Sequence, residues 1–283
     1  MNLRSVRRKT RSVANVRKIT QAMQLVSAVK MRKAQEAALE AKPYQEFLVK
    51  SLRRLTYKLD PKISKLLQSL PQAQKRKLLI VITTNKGLCG AFNFNLIRAI
   101  VQNEDIKHCD FVVAGKRGAT LINQFGGKIL ADYSANIPID EVSAIFTYVL
   151  EKYLNGEYNA VSVYYNKFIS TLKYEPTRED LLPFQVTNEE VKQDLTYAYT
   201  IEPDPESIVD PLLKSYLEEK IRFSMVETEA GEHSARMIAM KNATDNATEV
   251  IDSLTSLGNK LRQQKITYEL LDMITAKESV ESV

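Results

Sequence analysis

The sequence predicts an α/β protein in which a long antiparallel coiled coil, made by the N- and C-terminal segments, accompanies a Rossmann-like α/β domain with a mostly parallel sheet. Three observations predict it. Residues 3 to 59 hold a single proline, Pro43, and no glycine. After Pro211 no proline interrupts the chain again. Between these ends, apolar β-rich runs alternate with helical patterns, the signature of a parallel sheet covered by helices. The expected boundaries are 1–59 for the first helix, 60–209 for the α/β domain and 210–283 for the second helix.

In the first segment, apolar or small residues recur at three- and four-residue steps: Leu3, Val6, Thr10, Val13, then Ile19, Met23 and Val26. After the alanines 34, 37, 38 and 41 the stripe resumes at Tyr44, Leu48, Leu52, Leu55 and Leu59. This reads as a coiled-coil seam of imperfect phase, with a local overwinding between Val13 and Ile19. Ser27 and the alanines would let a second helix come close. Pro43 is expected to bend or break the helix, because it lacks a backbone donor and crowds the preceding turn. The second long helix is expected from Leu212 to about Ala276. Its seam is Met237, Met240, Thr244, Ala247, Ile251, Leu254, Leu261 and Tyr268, with Gly258 in phase. Fifty-odd helical residues would span roughly 80 Å, more than a small core can cover. Two such helices most simply pair antiparallel, each hiding the other's stripe. This reading puts the chain ends at opposite positions along the rod.

The middle of the chain changes texture. Leu78 to Thr83 is a continuous apolar run suited to a strand buried on both faces. A helix is expected over Phe92 to Val101, a second strand over Phe111 to Ala114, and a helix ending at Gly126-Gly127. A third strand follows around Lys128 to Tyr133, then a helix from about Asp140 to Tyr153, and a fourth strand over Ala160 to Tyr165. Runs near Leu181 to Val186 and Tyr197 to Ile201 could add edge strands or a hairpin.

Composition narrows the classes. Hydrophobic residues at 44% and charged residues at 26% suit a globular core. No run approaches the roughly 18 consecutive apolar residues of a membrane span. The basic start lacks the apolar stretch of a secretory signal, and it runs unbroken into helix rather than reading as a transit peptide. Cys89 and Cys109 read as two buried thiols, with one disulfide as the alternative. The net charge of +6 is unevenly placed, for no acid precedes Glu36 while Arg4, Arg7, Arg8, Lys9, Arg11, Arg17, Lys18, Lys30, Arg32 and Lys33 all do. A helix of one sign calls for an acidic partner: nucleic acid, anionic lipid or an acidic protein surface.

Catalytic chemistry is hard to find. Thr84-Asn85-Lys86-Gly87-Leu88-Cys89-Gly90 follows the first strand where a nucleotide loop would sit, yet matches neither phosphate-loop nor dinucleotide fingerprints. Gly115-Lys116-Arg117-Gly118 could hold an anion at a helix N-terminus, but glycines in tight turns explain both loops. His108 and His233 stand far apart and without metal-ligand company. Neither a cofactor nor a metal is expected.

Longer words then become recognisable. The run Ile19 to Gln35 (Ile-Thr-Gln-Ala-Met-Gln-Leu-Val-Ser-Ala-Val-Lys-Met-Arg-Lys-Ala-Gln) resembles the N-terminal helix of the gamma subunits of rotary F-type ATP synthases. Gly87 to Asn93 looks like that family's first loop. Glu232 to Ala247 is similar to its C-terminal helix, and Asn259 to Leu270 to its closing signature. The family's signature usually ends in Gly-Ala, where this chain has Ala276-Lys277. The resemblance implies a non-catalytic central shaft inside a ring of alpha and beta subunits, one copy per complex. It would stand on the c-subunit ring beside the epsilon subunit and carry torque from proton flow. It also implies that Met23, Lys30, Arg32, Lys33, Arg236, Arg262 and Gln263 face the catalytic ring, whose acidic beta-subunit loop would match the basic helix. Tyr197, Tyr199 and Glu202 would form the foot on the c ring. The absence of an inserted cysteine pair and of a transit peptide implies a bacterial form on the cytoplasmic face of the cell membrane. The alternative is a basic coiled-coil protein that binds nucleic acid.

Overall fold

The computed structural model describes residues 2–56, 63–68, 76–134, 138–184 and 204–281. Its elements in chain order are α1 (Leu3–Thr56), β1 (Lys77–Ile82), α2 (Phe92–Asn103), β2 (Cys109–Ala114), α3 (Lys116–Gln124), β3 (Lys128–Asp132), α4 (Val142–Leu154), β4 (Ala160–Ser170), β5 (Lys173–Leu182) and α5 (Pro205–Glu281). Two compact units emerge, one of residues 1–27 with 236–283, the other of residues 28–235. The long helices α1 and α5 contribute to both.

The second unit is built on a five-stranded sheet of order β3-β2-β1-β4-β5. β1 pairs in parallel with β2 and β4, and β2 with β3, while β5 returns antiparallel along β4. Alternate residues of β1 face opposite layers, as the strand's period of two demands. Leu78, Ile80 and Ile82 pack with α4, α5 and Leu52 of α1. Leu79 and Val81 pack with Leu96, Ile97 and Ile100 of α2 and Ile122 of α3. Such a strand has no polar face, and its continuous apolar run follows. The sheet face under α5 is covered by Val209, Leu213, Leu217, Ile221 and Met225, a stripe of four-residue steps.

β5 was expected only as a run near Leu181 to Val186, and it covers Lys173–Leu182 instead. Charged residues and Pro176 disguise it. On an edge strand they are at home, since one side of the backbone needs no ladder partner. The Tyr197 to Ile201 run and Leu59 lie outside the described residues.

The first unit is a pair of helical segments in antiparallel register. A side chain at Gly258 would stand 3.6 Å from Val6 Cγ1, and the Thr20 and Thr244 hydroxyls are 2.8 Å apart. Fourteen residues forward along α1 thus match fourteen back along α5. Continued, that register sets Leu3 against Leu261. Met240, Ala247 and the partly buried Met237, Thr244, Ile251, Leu254, Gly258 and Leu261 follow the expected seam. Tyr268 does not, being 67% exposed, because α1 has already begun opposite Leu261 and offers nothing further on. Antiparallel pairing also puts the chain's start beside the last third of α5, so the ends do not lie at opposite positions along the rod.

The seam of α1 is more regular than its apolar pattern suggested. In the first unit its inward positions are Leu3, Val6, Thr10, Val13, Arg17, Thr20, Gln24 and Ser27. In the second they are Met31, Ala34, Ala38, Ala41, Gln45, Leu48, Leu52 and Leu55. The three-four alternation is unbroken, so there is no overwinding after Val13. Ile19 and Val26, expected inside, are 61% and 56% exposed, and Tyr44 is exposed as well. Thr20, Ser27 and Gln45 hold those inward places. Thr20 and Thr244 also bond to Arg17 and Met240 carbonyls of their own helices, so the seam buries hydroxyls without orphaning them.

Pro43 neither breaks nor ends α1. It sits on the exposed side, as does Leu39, whose carbonyl loses its helical donor and can take water instead. Gln45 and Leu48 on the buried side hold the backbone, and the Gln45 amide donates to the Glu219 carbonyl of α5 at 3.3 Å. α5 likewise starts before its expected Leu212. Asp204 caps the backbone of Ser207 at 2.8 Å, Pro205 takes the first helical place, and Pro211 lies on an exposed turn.

Candidate functional site

Two places bear on function: the carboxyl ends of the parallel strands, where α/β folds hold ligands, and the outer faces of α1 and α5.

The strand ends are closed by the chain itself. Thr83 Oγ1 accepts the Gly118 amide of α3 at 2.9 Å, Asn85 Oδ1 accepts the Lys116 amide at 3.0 Å, and the Thr84 carbonyl accepts the Arg117 amide at 3.1 Å. These are the amides that would cradle a phosphate. Gly115 has φ +120°, and a Cβ there would lie 2.3 Å from the Thr83 carbonyl oxygen, so glycine serves close packing. The Asn93 side chain accepts the Thr84 amide at 3.1 Å and donates to the Thr84 hydroxyl at 2.8 Å. The loop after β1 is therefore a fastened turn. Phe92 closes it from above, 3.0 Å from where a Gly231 side chain on α5 would begin. Cys89 and Cys109 are free buried thiols, and burial pushes Cys109 up to about 11. Among the described residues no group of three or more His, Cys, Asp or Glu side chains could hold a metal ion.

The outer faces carry the unusual chemistry. Val16, Ile19, Leu25, Val26 and Val29 stand exposed on α1, beside exposed Arg11, Lys18, Lys30 and Lys33. Ile266, Leu270, Leu271, Met273 and Ile274 stand exposed on the last turns of α5. Apolar side chains strung along helices in this way mark an interaction surface. The sequence held the signal, for these residues are apolar but out of phase with the seam; reading phase before hydrophobicity would have found them.

The expected site residues divide. Met23 is half-buried at the edge of the seam, and Lys33, Arg262 and Gln263 are exposed. Lys30 is exposed and adds to the field of Glu229, whose carboxyl the His233 hydrogen bond holds below its usual range. Arg32 is exposed and pairs with Glu36 at 3.0 Å. Arg236 departs from expectation. It is 5% exposed, so its guanidinium is not offered to a partner in this conformation. Tyr197, Tyr199 and Glu202 lie outside the described residues.

Comparison with known proteins decides the family. Residues 2–280 match the family described as ATP synthase. A protein of Psychrobacter cryohalolentis named ATP synthase gamma chain is 34% identical over 292 residues, covering 99% of each chain. Proteins of the same name from Variovorax paradoxus and Pelotomaculum thermopropionicum are each 36% identical, again over 99% of both chains. The chain belongs to the ATP synthase gamma chain family. Solved structures agree in fold. A Euglena gracilis mitochondrial ATP synthase chain in an OSCP/F1/c-ring structure aligns with TM-score 0.69 at 18% identity, over 99% of this chain and 95% of that one. Another Euglena gracilis structure, of the rotor, aligns at 0.67 with 19% identity, over 93% and 98%. Membership in this family removes the nucleic-acid reading of the basic helix. No helix among the described residues is long and apolar enough to cross a membrane.

Proposed function

We propose that the chain is the central rotor shaft of an F-type ATP synthase, a non-catalytic subunit that passes torque between a proton-driven c ring and a catalytic ring of alpha and beta subunits. The observation that carries this reading is the stripe of exposed apolar residues on the outer faces of the paired helices, in a chain whose relatives are gamma chains. An apolar outer surface suits a shaft turning in a close-fitting sleeve, since it gives contact without directional bonds that would hold one angle.

The finer assignments follow from the family resemblance. Met23, Lys30, Arg32, Lys33, Arg262 and Gln263 face the catalytic ring, with the basic residues toward an acidic beta-subunit loop. Tyr197, Tyr199 and Glu202 meet the c ring, and the epsilon subunit docks beside them. One copy serves each complex, peripheral to the membrane on the cytoplasmic face of a bacterial cell. The fastened strand-end loops support a subunit that binds no nucleotide of its own, because the helix amides are already engaged.

Co-purification tests the reading. A tagged chain is expected to bring down two larger nucleotide-binding subunits in three-to-three-to-one ratio. Recovery of the chain alone, from membranes that retain ATP synthase activity, sinks it.

A further inference from the structure

The charged side chains that make β5 resemble a loop are partnered, and by two different helices of the second unit. Strand alternation sends Tyr174 and Arg178 to the face covered by α2, and Glu179 to the face covered by α5. The register agrees, since Arg178 sits beside Tyr164 of the α2-side core and Glu179 beside Val163 of the α5-side core. Toward α2, Arg178 Nη1 lies 2.8 Å from Oε1 of Glu104, the residue that ends that helix. The Glu104 side chain, 2% exposed, also takes Lys77 of β1 at 2.8 Å and the Tyr164 hydroxyl at 3.0 Å. The Tyr174 ring meets that of Phe92 with centroids 4.8 Å apart, and its hydroxyl accepts the Asn95 amide at 3.4 Å. Toward α5, Glu179 holds Lys220 at 2.6 Å through one oxygen and the Tyr165 hydroxyl at 2.9 Å through the other. At the tip of the hairpin, the Thr171 carbonyl accepts the Ser234 hydroxyl of α5. Lys220 and Ser234 are fourteen residues apart. They therefore lie within about 40° of one another around α5 and roughly 21 Å apart along it.

We propose that β5 is a two-faced strap that fixes the rotational setting of α5 on the sheet, with Arg178 and Glu179 as its positioning residues; this rests on the shaft reading. The apolar stripe from Val209 to Met225 already holds α5 down. Hydrophobic contact is non-directional, however, whereas a hydrogen bond weakens steeply as its partners turn off axis. A helix gripped at two points on one side cannot turn about its axis without straining a grip. Twist arriving along α5 is handed to the hairpin at Lys220 and Ser234, and from Arg178 to Glu104 and Lys77 in the body of the sheet. Gly231 completes the seat. A Cβ there would come 3.0 Å from the Phe92 ring, so α5 rests on the same ring that Tyr174 packs against.

Arg178→Gln combined with Lys220→Met tests the strap by releasing both faces at once. The fold is expected to survive, because Glu104 keeps Lys77 and Tyr164 while Glu179 keeps Tyr165. In the full chain, hydrogen exchange of the β5 amides is expected to quicken by about tenfold, with Leu79 and Val81 of β1 unchanged. In the assembled enzyme on membrane vesicles, protons pumped per ATP hydrolysed are expected to fall by about half. ATPase activity of the detached soluble complex is expected to stay at the wild-type level, a split that mere instability would not produce. Unchanged β5 exchange overturns the proposal, as does quicker exchange with undiminished pumping per ATP. Loss of soluble ATPase in step with pumping overturns it too. Should the double variant not assemble, Lys220→Met is compared with Lys220→Arg, which keeps the charge, and equal pumping per ATP in the two overturns the strap. Absence of the wild-type chain from the purified enzyme would instead sink the shaft reading, so the two failures are told apart.

Discussion

The two units bury different mixtures of residue. Around the sheet, Leu79, Val81, Phe111 and Val113 lie fully inside. Between the paired helices Thr20, Ser27, Thr244 and Ala247 take inward places beside Val6 and Met240, while Ile19 and Val26 face out. A core that must hold itself together keeps its oil inside. A helix pair that mixes small and polar residues into its seam and leaves large apolar ones outside has a surface suited to a partner. The difference separates stability, which the sheet unit supplies, from contact, which the helices offer.

That separation can be broken by substitution. Phe111→Ala, in the packed layer under α2, is expected to cost about 3–5 kcal/mol in urea unfolding; a loss below about 1 kcal/mol would mean the sheet is not the stable part. Thr20→Leu puts extra methylenes into a close seam and should cost about 1–3 kcal/mol, with the penalty recovered by adding Thr244→Ala opposite it. Ile19→Ser lies on the outer face and should leave the isolated chain within about 0.5 kcal/mol of wild type. In the assembled enzyme the same change should weaken binding to the catalytic ring, read by sedimentation of the complex. If Ile19→Ser destabilises the chain alone, the outer face is a core after all. The smallest effect is chemical: Cys109, held as a thiol up to about 11 by burial, should react with an alkylating agent at mildly alkaline pH only when the sheet unit opens. Its labelling should therefore slow under the conditions that raise unfolding stability.

Much of the sheet was legible because a strand buried on both faces leaves an unmistakable apolar run, as Leu78 to Ile82 does. β5 was not, since an edge strand is specified by its neighbour's backbone more than by its own side chains, and Glu175, Arg178 and Asp180 read as loop. The existence of both long helices was plain from the missing prolines and glycines, but the phase of α1 was not. Hydrophobicity pointed to Ile19 and Val26, which serve contact, while the seam runs through Thr20 and Ser27, which serve close approach. Pro43 and Pro211 misled for a related reason, because a proline on a wet face loses one hydrogen bond that water replaces. Of the expected site, the exposed Lys33, Arg262 and Gln263 carry side chains that can reach a partner, whereas burial of Arg236 depends on tertiary packing that spacing alone does not encode.

The register that sets Leu3 against Leu261 leaves the last twenty or so residues of α5 running on alone, exposed on every side as far as Lys277. At 1.5 Å per residue that is roughly 30 Å of single helix. An isolated helix of such length is only marginally stable in water. Considered as a beam, the first unit drops from two helices to one at this point, and its resistance to bending and twisting drops with it. The unpaired turns are thus more compliant than the paired ones. Elastic energy from an uneven load would collect first in those final turns.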